Sequence, residues 1–426
     1  MIIQFTVGNF LSFKDKMTFS LAANKDTEHK EALFSVKGEG KFIKTAAIYG
    51  LNASGKSNFI KAIRFFRDFV NTGFVLNAGN STRMIPVNPF LLNEQTEKQP
   101  SFFEAIILIN GEKFVYGFEV SQKEVHKEWL YRTPGKKKFF SREKQNFDIA
   151  SDYKEGPSEI DKITREDALI LTNLAKFNGA FARKIIEEIA KIEILTAPAP
   201  EEFGKRLLMI AVSKYKDDPE YRKIMDEFVL EADFGIEAIR AEYGHIPAAE
   251  LAKAAPDFVK EFVQKANFLP AFQHKISATH KKFNAKDKSI GEVSFDFSAE
   301  SHGTMQTFVL SVLFAKVIIE GGILIIDEIN SALHPMICRF ILFKFNSKET
   351  NPKNSVLLFS THDISLLDKE FLRRDQIWFV DKNRFGASEI FSLDHLSERK
   401  DVSYSKRYLE GRYGAIPYIK ALEGVK

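Results

Sequence analysis

The chain has little cysteine and no long uncharged hydrophobic run. Its single cysteine, Cys338, excludes an internal disulfide, and without a cysteine cluster no typical zinc site is expected. The most apolar stretch, residues 307–326, is interrupted by Lys316, Glu320 and a glycine pair, whereas a membrane-spanning helix needs about 20 largely uncharged residues. This stretch therefore predicts a buried helix followed by a buried strand, with no membrane association.

An excess of charge of one sign is also missing. The 61 basic and 57 acidic residues give a net charge of +4, a balance that argues neither for nor against nucleic-acid binding. Residues 1–5 lack the basic segment and cleavage site of a signal peptide, which together with the lone cysteine predicts a cytoplasmic protein. What the chain does have is length and apolar surface: 426 residues, 44% of them hydrophobic, predict two or three globular domains.

The periodicity of apolar residues divides the chain into three predicted parts. Residues 1–155 contain strand patterns, among them a hairpin that turns at Asn110-Gly111, and residues 156–275 are predominantly helical. Residues 276–426 return to alternating helix and strand. The pattern predicts an α/β protein whose two α/β parts are separated by a helical insertion.

The strongest motif is a phosphate loop at residues 50–57, whose sequence Gly-Leu-Asn-Ala-Ser-Gly-Lys-Ser fits G-x-x-x-x-G-K-[ST]. It lies between an apolar strand and an amphipathic helix, so backbone N–H groups and the helix N-terminus can surround nucleotide phosphates. Lys56 is expected to reach the β- and γ-phosphates, and the Ser57 hydroxyl to bind Mg²⁺. The predicted nucleotide contacts in this region are Asn52, Ala53, Ser54, Gly55, Lys56, Ser57 and Asn58.

Two further patterns predict the chemistry of hydrolysis. The apolar segment 323–326 ends in Asp327, which is expected to hold Mg²⁺ through water, and Glu328, which is expected to polarise the attacking water as general base. His362 follows the apolar segment 356–359 and is expected to reach the γ-phosphate. Lys56, Glu328 and His362 are therefore the predicted catalytic residues.

A Ser-x-Gly element precedes the acidic strand. Ser301 and Gly303 open a predicted helix, and such a turn is either an anion site or simply a helix cap. The order of phosphate loop, Ser-x-Gly, acidic strand and histidine is that of ABC-type ATPases, in which the Ser-x-Gly of one subunit closes over the nucleotide of the other. GTPases are disfavoured, because their guanine-binding Asn-Lys-x-Asp motif is missing: Asn24-Lys25-Asp26 is mis-spaced and precedes the phosphate loop.

At these motifs the sequence resembles the bacterial ABC-like AAA-family ATPases, which are related to RecF, SMC and OLD-type ATPases. It looks closest to members found in phage-defence operons, the RloA and AbiL type and the ATPase of the PARIS system. Besides the phosphate loop, the resemblance rests on segments 8–13, 89–90, 102–104, 116–119, 300–304, 327–335, 361–363, 373–376 and 408–417. It covers almost the whole chain and implies an ABC-type ATPase head, with a RecA-like core and an antiparallel β lobe, that uses ATP and Mg²⁺.

The resemblance also implies a role. It suggests an ATP-sandwich homodimer or higher homo-oligomer that controls an effector in antiviral defence, such as a TOPRIM or RloB-like nuclease. SMC-like relatives carry a long coiled coil where residues 160–270 stand, and the short insertion here favours a compact platform for a partner. Two features depart from the group. The signature lacks the Leu-Ser-Gly-Gly-Gln form of transporters, and no single glutamine stands out as that of the Q-loop, for which Gln95 and Gln99 are both candidates.

Two other functions stay open at this stage. A RecF- or SMC-like ATPase of DNA repair or chromosome maintenance would bind DNA, with the lysine runs 136–138 and 281–282 as candidate contacts. Solvated hairpin tips are the simpler explanation of both runs. The second open function is a nucleotide-gated scaffold that binds ATP with negligible turnover. Glu328 argues against it, because a general base has little use in a scaffold.

Overall fold

The computed structural model describes residues 1–73, 84–196, 201–231, 235–246, 271–331, 333–396 and 402–414. They form two compact units. The first consists of Met1–Ala197 together with Glu320–Lys426, and the second of Pro198–Ile319. The two halves of the first unit are therefore far apart in sequence, and the second unit is inserted between them.

The elements of the first unit follow the chain in two runs. The first run comprises β1 (Ile2–Gly8), β2 (Met17–Ser20), β3 (Leu33–Val36), β4 (Gly40–Ile43), β5 (Thr45–Gly50), α1 (Lys56–Thr72), β6 (Ser101–Ile109), β7 (Glu112–Val120), β8 (Val125–Thr133), β9 (Lys137–Glu143), β10 (Asn146–Ile149), α2 (Ile160–Ile163), α3 (Ile170–Lys176), α4 (Ala180–Ala190) and β11 (Ile192–Leu195). The second unit then contributes α5 (Glu201–Asp217), α6 (Pro219–Leu230), β12 (Ala238–Ile246), β13 (Ala271–Phe283), β14 (Ser289–Asp296) and α7 (His302–Glu320). The second run of the first unit comprises β15 (Ile323–Ile326), α8 (Pro335–Asn346), β16 (Val356–Ser360), β17 (Ile377–Lys382), β18 (Ser388–Ser392) and α9 (Tyr404–Leu409).

A six-stranded sheet of the first unit has the order β11-β15-β16-β5-β17-β18. All pairs are parallel except β17 with β18, which is antiparallel. Strands β5, β15 and β16 are buried along their whole length, as expected of parallel strands covered on both faces. The predicted α/β fold class is confirmed by this sheet.

The second sheet of this unit is antiparallel and has the order β10-β9-β8-β7-β6-β1-β2. Its hairpin β6–β7 turns at Asn110-Gly111, as predicted, and both residues have positive φ, at 53° and 83°, the conformation of a tight hairpin turn. One face of the sheet packs on α1 through phenylalanines, for example Phe5 with Phe59 and Phe66, at ring-centroid distances of 6.0 and 5.5 Å. The abundant phenylalanine therefore supplies core packing.

The second unit contains α5, α6, the antiparallel sheet β12-β13-β14 and α7. The helical insertion was predicted at 156–275, and the structure differs in its bounds and its content. Helices α2 to α4 belong to the first unit, where the Thr172 hydroxyl in α3 donates to the Val70 carbonyl of α1 at 2.8 Å. Strands β12 and β13 were missed because the helical prediction rested on the apolar periodicity of residues 181–192 and 221–232 and was extended to the rest of the region. Residues 247–270 of that region lie outside the described residues.

The apolar stretch 307–326 divides as predicted into a helix, α7, and a buried strand, β15. Among the described residues α7 is the one helix long and apolar enough to cross a membrane, and 61% of its apolar window is buried within the protein. A hydrophobic helix packed in a core has this composition without a membrane.

Candidate nucleotide-binding site

The site lies where three neighbouring parallel strands end. Strand β16 pairs with β15 through Phe359 opposite Ile326, and with β5 through Ser360 opposite Ile48. The residues that follow the three strands are therefore brought to one edge of the sheet. Ligands bind at this carboxyl edge in open α/β sheets.

The phosphate loop has the backbone shape that its glycines permit. Gly50 and Gly55 have φ of 155° and 121°, and Ala53 at the apex has φ of 62°. A Cβ at Gly50 would overlap with the Val380 carbonyl of β17, so only glycine fits between the loop and the neighbouring strand. The loop ends at Lys56, where α1 begins.

Lys56 folds back over its own loop. Its Nζ donates to the carbonyls of Gly50 at 2.8 Å and Leu51 at 2.9 Å, and only 5% of the residue is exposed. Burial lowers the pKa of the Lys56 ammonium to about 8, while the nearby carboxylates of Asp327 and Glu328 act in the opposite direction. The predicted phosphate ligand and both predicted acidic residues therefore lie within electrostatic reach of one another.

Two serines that the sequence analysis did not single out brace the phosphate loop. The Ser388 hydroxyl donates to the Ser54 carbonyl at 2.5 Å, and the Ser388 N–H donates to the Ser12 carbonyl at 2.7 Å. The Asn58 amide donates to the Ser12 hydroxyl at 2.9 Å, and a Cβ at Gly55 would overlap with both serine hydroxyls. Ser12 and Ser388 are 376 positions apart, so no local sequence signal could have paired them.

Ser360 joins the two acidic residues. Its hydroxyl donates to Asp327 Oδ1 at 2.5 Å and accepts the Glu328 N–H at 2.7 Å. Glu328 has a φ of 54°, an uncommon conformation for a non-glycine residue that costs on the order of 1–3 kcal/mol. Ser360 thus fixes the Asp327 carboxylate and the backbone turn that directs Glu328, a role that was missed because a serine after a strand is common.

Asn330 organises the segment that carries the histidine. Its side-chain oxygen accepts the Thr361 hydroxyl at 2.9 Å and the His362 N–H at 3.3 Å. The His362 side chain is exposed. Its pKa is lowered by partial burial and by the Lys56 charge, against the opposing effect of Glu328 and Asp327, so a neutral imidazole is favoured at neutral pH.

The residues predicted to hold Mg²⁺ suit a hard cation. Asp327 is 4% exposed, and the ion pairs among the described residues do not include its carboxylate. Within the same residues no group of three His, Cys, Asp or Glu side chains could hold a metal alone. Mg²⁺ is commonly held by one or two protein oxygens together with substrate phosphates and water, and the Ser57 hydroxyl and Asp327 carboxylate fit that pattern.

The remaining predicted contacts lie in two places. Asn52 and Ala53 form the exposed apex of the phosphate loop. Ser301 and Gly303 belong to the second unit, where the Ser301 hydroxyl accepts the Thr304 N–H at 3.1 Å and Gly303 is in the first turn of α7. Ser301 is therefore an N-cap within its own chain, and its approach to a nucleotide stays a prediction. The candidate Q-loop residues Gln95 and Gln99 are both exposed, and the choice between them stays open.

The site combines a phosphate loop, a buried aspartate after the strand next but one in the sheet, a glutamate beside that aspartate, and a histidine after the intervening strand. Together these features define the P-loop nucleotide-binding class. A family model described as "AAA domain, putative AbiEii toxin, Type IV TA system" matches residues 46–368. Because the match covers most of the chain, the protein belongs to this AAA family. The predicted membership of the ABC-like AAA ATPases is confirmed, and ATPase is the class of the protein.

Solved structures similar to this chain include heads of SMC proteins. The SMC head domain from Thermotoga maritima has 14% identity and a TM-score of 0.42, with 92% of this chain and 98% of that chain covered. An SMC head bound to the C-terminal winged-helix domain of ScpA has 15% identity and a TM-score of 0.47, with coverages of 92% and 97%. The Pyrococcus furiosus SMC head with an extended coiled coil, bound to the C-terminal domain of ScpA, has 15% identity and a TM-score of 0.41, with coverages of 97% and 99%. A search of curated proteins found no match.

Proposed function

We propose that this protein binds and hydrolyses ATP with Mg²⁺ and acts as a dimeric switch that controls a partner effector. The observation that supports hydrolysis most directly is the junction at Ser360, which holds Asp327 and the backbone of Glu328 beside Lys56. A protein that only bound nucleotide would have no need to keep a glutamate in a strained conformation at this point.

Each residue has a distinct part in the proposed reaction. The Ser57 hydroxyl and the Asp327 carboxylate are the groups that would hold Mg²⁺, which would supply positive charge to neutralise the β- and γ-phosphates. Lys56 binds the same phosphates from within the loop. Glu328 orients and polarises the attacking water. The exposed, predominantly neutral His362, whose backbone N–H is held by Asn330, contacts the γ-phosphate in this proposal.

The switch requires a second copy of the chain. In the proposal, Ser301 and Gly303 of one protomer approach the triphosphate held by the other, with the positive N-terminus of α7 directed at the anion. Hydrolysis removes that anion and releases the pair. The Ser301 cap keeps the first turn of α7 ordered in the free chain, so the contact would form without refolding.

The effector is proposed from the family. The matching family is described in terms of a toxin and a toxin–antitoxin system, and the motif resemblance is to ATPases of phage-defence operons. Among the described residues, no acidic or His-Cys cluster offers a second, nucleolytic centre. A separate nuclease of the TOPRIM or RloB-like type is therefore the proposed partner, and co-purification with the product of a neighbouring gene, in ATP and without it, tests this.

One observation favours the alternative, a RecF- or SMC-like ATPase that binds DNA. At the β8–β9 tip, Lys137 and Lys138 are paired with Asp152 and Asp148, so two of the three lysines of that run are neutralised. At the β13–β14 tip, Lys281 is paired with Glu237. The lysines of that tip that make no ion pair among the described residues are Lys282, Lys286 and Lys288.

Salt dependence discriminates between the two functions. Neutralising three phosphates would give a slope of log affinity against log salt of about −2.7 on duplex DNA. The test replaces Lys282, Lys286 and Lys288 by glutamine. The control protein carries Lys137→Gln and Lys138→Gln instead. Loss of the slope in the first protein and not in the control would favour the DNA-binding role. Duplex binding that is absent, or equally affected by both sets of substitutions, would argue against it.

The experiment that tests the main proposal combines turnover with mass. An enzyme is expected to hydrolyse ATP and to lose hydrolysis, but not ATP binding, on Glu328→Gln. A nucleotide-gated scaffold would show negligible hydrolysis in both proteins. Light scattering of Glu328→Gln in ATP is expected to show a doubled mass. A monomer that binds ATP without dimerising would overturn the sandwich.

A further inference from the structure

Three buried polar atoms lie at or beside the turn that carries His362, residues 361–366. The Tyr49 hydroxyl, Asp363 Oδ2 and the Ser365 hydroxyl are shielded from solvent, and none of them makes a hydrogen bond to the residues that the structure describes. In native proteins the large majority of buried polar atoms are bonded to protein groups or to ordered water. Two of the three atoms belong to the turn itself, and the third lies at the end of β5, which points to one shared partner.

Strand pairing brings Tyr49 beside this turn. Strand β5 pairs with β16, and the Thr361 N–H extends the pairing by donating to the Ile48 carbonyl at 3.1 Å. Tyr49, the next residue of β5, is therefore level with Thr361. Side chains two residues apart along an extended chain point to the same face of a sheet, and Asp363 has an extended backbone, with φ of −77° and ψ of 105°. This register directs the Tyr49 and Asp363 side chains to the same face.

Tyr49 supplies a donor here and Asp363 an acceptor. Tyr49 is fully buried. Burial raises the pKa of its hydroxyl well above the usual value, and the negative charge of Asp363 acts in the same direction, so the hydroxyl stays protonated and the two groups are within electrostatic reach of each other. Asp363 Oδ1 accepts the Ser365 N–H at 2.8 Å, which leaves Oδ2 as the oxygen open to a further bond.

The turn is fixed at its two ends. At the start, Asn330 accepts the His362 N–H at 3.3 Å. At the far end, Arg339 of α8 donates to the Ser365 carbonyl at 3.0 Å. Tyr49 lies beside the middle of the turn, between these two anchors. A contact at this point fixes the direction in which the exposed imidazole leaves the turn.

We propose that Tyr49 and Asp363 are positioning residues for His362 and act through one ordered water that they share with the Ser365 hydroxyl. A buried water typically makes about three hydrogen bonds to polar groups that have no other partner. The Tyr49 hydroxyl donates to this water, and the water donates to Asp363 Oδ2. Because Gly50 follows Tyr49, the water joins the start of the phosphate loop to the turn of the histidine. The inference rests on the proposed function, since it presumes that His362 contacts the γ-phosphate.

Single-turnover hydrolysis and ATP affinity of the full chain test the positioning role. Tyr49→Phe removes only the hydroxyl and is expected to slow hydrolysis roughly tenfold, because a small misplacement of a catalytic group is costly in rate, with ATP affinity unchanged. Asp363→Ala should slow it as well, and adding Tyr49→Phe to Asp363→Ala should slow it no further, since both act through the same water. Tyr116→Phe is the matched control: this tyrosine is also fully buried, but its hydroxyl is bonded to Glu128 at 3.0 Å, and its loss should leave the rate unchanged.

Repeating Tyr49→Phe in a His362→Ala protein separates positioning from packing. If Tyr49 acts through His362, the substitution has no further effect on the rate in that background. Equal slowing in both backgrounds, an unchanged rate in the otherwise unmodified protein, or a loss of ATP affinity overturns the inference. If His362→Ala alone leaves hydrolysis unchanged, the role of the histidine fails and the positioning with it, whereas a parent protein that hydrolyses no ATP shows that the proposed function itself is wrong.

Discussion

The two regions expected to contact ATP are built very differently. The phosphate loop is largely buried below its exposed apex, and residues from distant parts of the first unit surround it: Val380 lies against Gly50, and Ser388 and Ser12 lie against Gly55. The hydrogen bonds of Ser301, among the residues that the structure describes, go to Thr304 and Met305 within its own helix. One region has a shape imposed by the whole unit, whereas the other has a shape that any capped helix provides.

This difference indicates which contacts with ATP a single chain can make and which need a second copy. A rigid, pre-shaped cradle can bind phosphates without rearrangement, because the cost of ordering it was met on folding. A helix cap becomes a ligand contact only when an anion is brought to it. We therefore expect substitutions in the phosphate loop and acidic strand to act on a single chain, and substitutions at Ser301 to act only when two chains meet.

The largest effect is expected from Lys56→Ala. The change removes the buried cation and its hydrogen bonds to Gly50 and Leu51, so both the charge and the loop shape are lost. ATP binding should fall below detection in calorimetry. Phosphate affinity that survives would show that the loop backbone, and not Lys56, provides most of the binding, and would weaken the contrast between the two regions.

Glu328→Gln ranks second. A general base typically contributes about 10²–10⁴-fold to rate, so turnover is expected to fall by roughly three orders of magnitude while ATP affinity changes little. Single-turnover hydrolysis beside equilibrium binding measures the two separately. Equal losses in both would indicate that the substitution disturbed the strained turn at Glu328, and would leave the role of general base unsupported.

Ser360→Ala is expected to have a smaller effect of the same kind. Hydrogen bonds to charged groups contribute about 1.5–3 kcal/mol, so a freed Asp327 should weaken Mg²⁺-dependent ATP binding by roughly tenfold or more. Binding measured in EDTA should hardly change, because the serine acts through the metal-holding carboxylate. Ser355→Ala, at another buried serine next to the same strand, serves as the control for packing.

The sequence was sufficient for the parts of the site that are local in the chain. Residues 50–57, Asp327 with Glu328, and His362 each combine a short motif with an adjacent strand, and the structure brings them to one edge. Ser360, Ser12 and Ser388 were missed because their roles depend on contacts between distant segments. The second unit was misjudged for a related reason: the pairing of β12 with β13 connects strands on either side of residues 247–270, and a window of local periodicity cannot detect it.

The pH dependence of ATP binding should follow from Lys56. Burial places its pKa near 8, and the protonated form is the one that attracts phosphate. Affinity is therefore expected to be constant below pH 7 and to fall as pH rises through 8, by up to about tenfold per unit above it. Lys56→Arg should remove this decline, since a guanidinium stays protonated, even if its affinity is lower throughout.

Ser301→Ala should have the smallest effect on a single chain and decides whether the comparison holds. Loss of an N-cap costs about 1 kcal/mol, so a slightly lower melting temperature is expected, with ATP affinity under monomeric conditions unchanged. In the Glu328→Gln background the same substitution should reduce the doubled mass in ATP. Ser403→Ala removes an equivalent cap, from α9, and should lower stability without touching dimerisation. If both caps behave alike, Ser301 is structural only, and the nucleotide must be closed over by some other part of the second chain.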